Sequence, residues 1–260
     1  MTRQGTAVKV LGVIPARAGS ERFPRKHHAL VLGKPLITYT MEAMAGARTL
    51  DRVVVSTDDP EIEPLARSFG IEVIPRPAEL ATNTAALDDA VRHVCRTLQQ
   101  RDRFEPDIVA VAQANVPIRK TGQVDEVVRR LEARPEATAV CTARATRLRP
   151  EWAKVMKDEK TGEVGPYLVG AHPFRKQDFP HLYVLDGSIL AVRRAVLFAT
   201  EGDRAAHAWL GKRLHILVQD HPMYSLEVDY PDEVALGEFY LRGLQGAKGG
   251  HIAEAGRGVK

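Results

Sequence analysis

Apolar residues in this chain come in short β-branched runs separated by longer stretches of helical spacing. The runs are "VKVLGVI" at 8–14, "RVVVST" at 52–57, "IEVI" at 71–74, "DIVAVAQ" at 107–113, "TAVCTA" at 138–143, "YVLDGSILAV" at 183–192 and "LHILVQ" at 214–219. Each is too short for a helix and too continuous for a half-exposed strand, which predicts strands buried on both faces. Between them, 35–47, 60–70, 84–100, 121–133 and 231–244 place apolar residues at three- and four-residue intervals and predict helices. Strand and helix alternate, so the expected architecture is an α/β fold, a mostly parallel sheet with helices on both faces. In "STDDPEIEPLA", Asp59 before Pro60 and Glu61 reads as a helix start, a role that needs no catalysis.

The alternation fails over 144–180, where prolines and glycines punctuate a stretch with too few periodic apolar positions for a core of its own. It reads as an inserted arm, which divides the expected main domain into 8–143 and 181–242. The tail 246–260 is small, polar and glycine-rich and reads as flexible.

Composition narrows the class without naming a function. With 260 residues and 44% hydrophobic content the chain can bury a large core. No apolar stretch reaches the roughly 20 residues of a membrane helix, and the opening "MTRQGTAVKV" lacks a signal sequence, so the expected site of action is the cytoplasm with no membrane partner. Lysine and arginine exceed aspartate and glutamate by 37 to 33, too little to argue for nucleic acid. Cys95 and Cys141 are too few for a disulfide framework or a thiolate zinc site. His27 and His28 are adjacent rather than one helical turn apart, and His93 falls within a helix, so no histidine metal site is expected.

Local density matters more than net charge. "IPARAGSERFPRKHH" at 14–28 leaves the first strand, where α/β folds bind ligands. It lacks the Gly-Lys-Ser/Thr of a P-loop and the three glycines of a dinucleotide fingerprint. What it offers is Arg17 as a forked donor, Lys26 as a mobile ammonium, and Ala18, Gly19 and Ser20 as a tight turn for close backbone approach, a set suited to a small polyanion such as a triphosphate. The rival reading is a solvated basic loop, which would not need the small-residue turn.

The line "IPARAGSERFPRKHHALVLGKPLITYTMEAM" resembles the opening of the acylneuraminate cytidylyltransferases, the CMP-sialic acid synthetases, and of their relatives the CMP-Kdo synthetases. "DRVVVSTDDPEI", "GIEVIPRPAELATNTAALDDAVRHV", "FRKQDFPHLYVLDGSILAVRR" and "SLEVDYPDEVALGEFYL" look like later blocks in the same order, so the resemblance spans roughly 8–241. It implies a Rossmann-like nucleotidyltransferase fold with a dimerisation arm. It also implies transfer of CMP from CTP to an acidic sugar, a sialic acid-like or other 2-keto sugar acid, with Mg²⁺ as cofactor and a homodimer as the working unit.

Carried onto this chain, the resemblance makes Ala16, Arg17, Ala18, Gly19, Ser20 and Lys26 the triphosphate loop, with Arg17 and Lys26 catalytic through charge stabilisation. Arg76 matches a residue near the nucleotide; a turn-stabilising arginine is the alternative. In "AQANVPIR", Gln113 corresponds to a substrate-site glutamine, and Asn115 stands where the Kdo branch keeps an aspartate. "LEVD" matches a block with two alternating acids, so Glu227 and Asp229 on one strand face would hold the Mg²⁺. Lys176 and Gln177 match an acceptor-binding segment that reaches the partner subunit, and Asp186 replaces an asparagine beside the acceptor. His27, Leu87 and Arg22 depart from the sialic pattern where base, ribose or sugar selectivity is set. Two other readings stay open: a nucleotidyltransferase with another nucleotide or a non-sialic acceptor, and a non-catalytic nucleotide-sugar-binding homologue. Trp209 is expected to pack, and Trp152 to lie at the arm interface.

Overall fold

The structure is a computed structural model that describes residues 8–170 and 173–247. In chain order its strands and helices are β1 (Val10–Pro15), β2 (Leu30–Val31), β3 (Lys34–Pro35), α1 (Leu36–Ala45), β4 (Arg52–Thr57), α2 (Ile62–Ser68), β5 (Glu72–Pro75), α3 (Leu87–Asp102), β6 (Ile108–Val111), α4 (Gln123–Glu132), β7 (Ala139–Thr146), β8 (Lys154–Asp158), β9 (Glu163–Pro166), β10 (Leu182–Arg193), α5 (Arg194–Ala199), β11 (Leu214–Val218) and α6 (Asp232–Ala247). All seven predicted runs enter one sheet of order β11-β7-β10-β6-β1-β4-β5. Only β10 runs antiparallel to its neighbours, β6 and β7.

Alternation along β1 explains the layering. Val10 and Ile14 point into a cluster with Ile37 and Met41 of α1, Ile62 of α2 and Val127 of α4. Leu11 and Val13 point into the opposite cluster with Val91, Val94 and Leu98 of α3 and Leu197 of α5. Both faces of the strand are therefore buried, as a period-two pattern with no polar positions requires. Cys95 and Cys141 are buried in the second cluster, where burial pushes both thiols up to about 12. Trp209 packs there too.

Connectivity decides where a ligand can sit. From β1 the chain moves one way through β4 and β5 and then crosses to β6 on the other side of β1. The loops leaving β1 and β6 part at this reversal and leave a crevice at the carboxyl ends of the strands. A second irregularity faces it: the register of β10 against β7 slips between Leu185 and Leu190, and Gly187 within the slip adopts φ +60°. Such a bulge bends the strand and redirects its side chains.

The 144–180 arm contains a feature that the sequence reading missed, the antiparallel hairpin of β8 and β9, which forms its own two-stranded sheet. At its base Trp152 stacks edge-on against Phe179 at 5.0 Å between centroids. The tail from residue 248 onward lies outside the described residues.

Candidate active site

The loop after β1 turns on Arg25, whose left-handed backbone (φ 56°, ψ 30°) starts a single 3-10 turn over Lys26–His28. That turn aims Lys26 inward, and its Nζ donates to Asp229 Oδ1 at 2.7 Å. Asn115 Nδ2 donates to the same oxygen at 2.9 Å. Three segments distant in sequence thus converge at the crevice mouth. Burial pushes the Asp229 carboxyl up, but the Lys26 hydrogen bond and charge outweigh it and hold the group below its ordinary value.

Glu227 and Asp229 were expected on a strand. They lie instead in an extended segment outside the sheet, anchored where buried Val228 donates its N–H to the Asn115 carbonyl at 2.8 Å. The two acids flank one anchored residue, with Glu227 lining one cavity and Asp229 another. Glu227 is pushed up to about 7, first by burial and then by the charges of Asp229 and Asp186.

Arg17, Gly19, Ser20, Lys26, Arg76 and Asn115 line a cavity of about 300 Å³, together with Gln113. A second, of about 340 Å³, continues it past Arg17, Ser20 and Lys26 to Arg22 and Asp229. The cationic side chains of the loop therefore face a shared space. Arg76 is buried, donates from Nη2 to the Ser56 carbonyl at 2.8 Å and from Nε to Ser56 Oγ at 3.1 Å, and burial lowers it to about 10. It both braces the turn and faces the cavity, so the two readings of Arg76 are compatible.

Other expected residues are placed differently. Ala16 is buried and its N–H donates to the Ser56 carbonyl, which commits it to the sheet margin. The Ala18 N–H donates to Asp58 Oδ1 at 2.7 Å, so it is not an open phosphate donor. Asp186 is almost fully buried: Thr142 Oγ1 and the Ser188 N–H donate to Oδ1, and Ser225 Oγ donates to Oδ2 at 2.6 Å. It organises the wall behind the crevice rather than facing a ligand. Gln177 is exposed and lines neither cavity; Lys176 lies in the 3-10 turn Lys176–Asp178, with its side chain outside the described atoms.

The residues missed by sequence reasoning are those that hold the loops. Asn83 accepts from Arg17 Nη1 at 2.7 Å and donates to the Glu21 carboxylate, clipping the loop after β1 to the segment before α3. Arg119 is half-buried, lowered to about 9 by desolvation, and donates to the carbonyls of Gln113, Val116 and Ser188 at 2.7–2.8 Å. It ties the loop after β6 to the bulge of β10. The arginine closing "AQANVPIR" was the available signal. Asp59, read as a helix start, accepts the Glu61 N–H and also holds His28 Nε2 at 2.7 Å.

A nucleotide-sized crevice lined by arginine and lysine at the switch point of an α/β sheet has relatives of known activity. The sequence profile of the family described as cytidylyltransferase matches residues 11–197. The chain belongs to the cytidylyltransferase family. It is 30% identical to 3-deoxy-manno-octulosonate cytidylyltransferase of Chlamydia abortus, over 93% of this chain and 97% of that protein. It is 33% identical to the CMP-N,N'-diacetyllegionaminic acid synthase of Legionella pneumophila, over 70% of this chain and 77% of the relative. Among solved structures, the CMP:2-keto-3-deoxy-manno-octonic acid synthetase complexed with CTP superposes with a TM-score of 0.64 at 20% identity, covering 91% of this chain and 99% of that one. That likeness carries the fold, and the sequence matches carry the family. The chain is a nucleotidyltransferase enzyme, as the resemblance in the sequence implied.

Proposed function

We propose that this cytidylyltransferase joins CMP from CTP to an acidic 2-keto sugar, giving a CMP-sugar and pyrophosphate. The acceptor's anomeric hydroxyl oxygen forms a bond to the α-phosphorus, the bond from that phosphorus to the β-phosphate bridge oxygen breaks, pyrophosphate leaves and the hydroxyl proton passes to water. The observation that carries the reading is the convergence of Arg17, Ser20, Lys26 and Arg76 on one cavity, with the Lys26–Asp229 ion pair in the cavity that continues it.

In such a transfer the enzyme positions groups and stabilises charge, with no covalent nucleophile. Arg17 and Lys26 hold the β- and γ-phosphates, and Lys26 exchanges Asp229 for phosphate oxygens as the triphosphate arrives. Arg76 and Gln113 border the nucleoside, while Asn115 keeps Asp229 oriented through its amide.

The acids beside Lys26 suit a divalent cation. Asp229 is held ionised, Oδ2 accepts no hydrogen bond among the described residues, and Glu227 is pushed up first by burial and then by the charges of Asp229 and Asp186. Among the described residues no cluster of three ligating side chains forms a closed metal cage, so Asp229 and Glu227 would share Mg²⁺ with the substrate phosphates. Mg²⁺ supplies charge neutralisation on the triphosphate when bound. We further propose a homodimer built through the arm and a cytoplasmic site of action; no helix among the described residues is long and apolar enough to cross a membrane.

Pyrophosphate release tests the reading, with each of four nucleoside triphosphates offered 3-deoxy-manno-octulosonate or N-acetylneuraminate, with and without Mg²⁺. Release is expected only with CTP, an acid and the metal. Silence in every combination would favour a non-catalytic binding protein. Release without Mg²⁺ would remove the metal assignment.

A further inference from the structure

A third cavity, of about 170 Å³, opens beside the nucleotide crevice and meets it at Leu87 and Gln113, which line both. No lysine or arginine lines it. Its wall is mainly apolar, with Cys141, Leu190 and Leu210 among the contributors; the polar side chains are Gln113, Thr142, His207 and Glu227. Thr142 is committed, because its hydroxyl bonds Asp186 and accepts the Ile189 N–H. The side chains of Gln113, His207 and Glu227 make no hydrogen bond to any other described residue, so they are the groups a ligand in this space would meet.

His207 is delivered there by a built device. Its backbone lies in the left-handed region (φ 60°, ψ 17°), which a β-carbon disfavours. Immediately after it the 3-10 turn Ala208–Leu210 buries Trp209 and Leu210 in the core, fixing the loop at one end. Glycine suits such a conformation and costs nothing sterically, yet this chain carries an imidazole, and the imidazole borders the cavity.

Resting on the transferase reading above, we infer that His207 is a specificity-determining residue for the acceptor, hydrogen-bonding a hydroxyl of the sugar's uncharged tail. The absence of any cation in this cavity sends the acceptor's carboxylate elsewhere, towards the basic crevice or its rim. The apolar part of the wall then packs the carbon face of the sugar, while Gln113 and His207 take hydroxyls. His207 is itself exposed, and one hydrogen bond lost there corresponds to a roughly fivefold weaker interaction.

The test uses His207→Gly and His207→Asn, because both residues tolerate the left-handed conformation. Steady-state kinetics with CTP and 3-deoxy-manno-octulosonate, or N-acetylneuraminate if that is the better acceptor, are read alongside the melting temperature. His207→Gly is expected to melt at or above the wild-type temperature, raise the KM for the acid about fivefold or more and leave the KM for CTP unchanged. His207→Asn, which restores a donor, should fall between. An acceptor KM in His207→Gly equal to wild type overturns the inference while leaving the transferase reading intact. A wild-type protein silent with CTP and every acid overturns the reading itself and the inference with it.

Discussion

Lys26 and Asp229 stand 203 positions apart and share a 2.7 Å ion pair with only part of either side chain in solvent. Because the pair is partly solvated, its contribution to folding is small, within about 1 kcal/mol; the role proposed for it is in catalysis. Lys26→Ala should lower kcat/KM by about 100-fold or more while the melting temperature stays near wild type, read by pyrophosphate release and thermal unfolding. A variant that turns over normally would remove Lys26 from the mechanism. Beside it, His27 is buried and lowered to about 3, chiefly by burial and then by the Lys26 charge. Unfolded, the ring takes a proton near 6.5, so between 6.5 and about 3 the unfolded chain binds a proton that the folded one does not. Its contribution to native stability is intact above 6.5 and is lost at roughly 1 kcal/mol per pH unit below it. His27→Asn should flatten that slope in denaturant titrations between pH 6.5 and 5; an unchanged slope would contradict the burial effect. The loop residues Arg17, Ser20 and Lys26 were legible because charge and small-residue spacing are local properties. Asp229 and Asn115 were named from the resemblance, but their pairing was not legible: Lys26 and Asn115 meet on Asp229 only through the topology, and Asp186 looked like a ligand-facing acid until the hydroxyls of Thr142 and Ser225 enclosed it.

At the scale of elements, the seven buried strands could be read because continuous β-branched runs have no other stable use in an α/β chain. α5 was not read, since its six residues are too short for a helical period to show. The hairpin was hidden for a different reason. β8, "KVMKD", and β9, "EVGP", are largely exposed, so their composition is that of a polar loop with scattered apolar residues. Met156 and Val164 are cross-strand partners and both are exposed, while Val169 and Phe174 nearby are more than nine-tenths exposed. This apolar surface on the hairpin and its flanks is what the proposed homodimer would cover. Sedimentation is expected to give a species of twice the chain mass, and Met156→Glu with Val164→Glu should give monomers that retain their secondary structure. A wild-type monomer at every concentration, or a charged variant still paired, would contradict the assigned interface.

For the molecule as a whole, the order of strands sets the function's location before any side chain is considered. The chain reverses beside β1, the loops after β1 and β6 separate there, and the cationic loop, the bulge of β10 and the acidic segment 227–229 are brought to the same crevice. Arg119 then ties the loop after β6 to the bulge of β10, and Asn83 ties the cationic loop to the segment before α3. The result is a crevice rich in positive charge joined to a smaller cavity lined by no lysine or arginine, which in the proposed reading lets a triphosphate and a sugar meet at one phosphorus. The most direct test of that account follows the α-phosphate. With CTP labelled at that position and 3-deoxy-manno-octulosonate or N-acetylneuraminate as acceptor, the label should pass to the sugar acid in step with the release of unlabelled pyrophosphate. Label that stays in CTP, or appears only as free CMP with every acid tried, would contradict it.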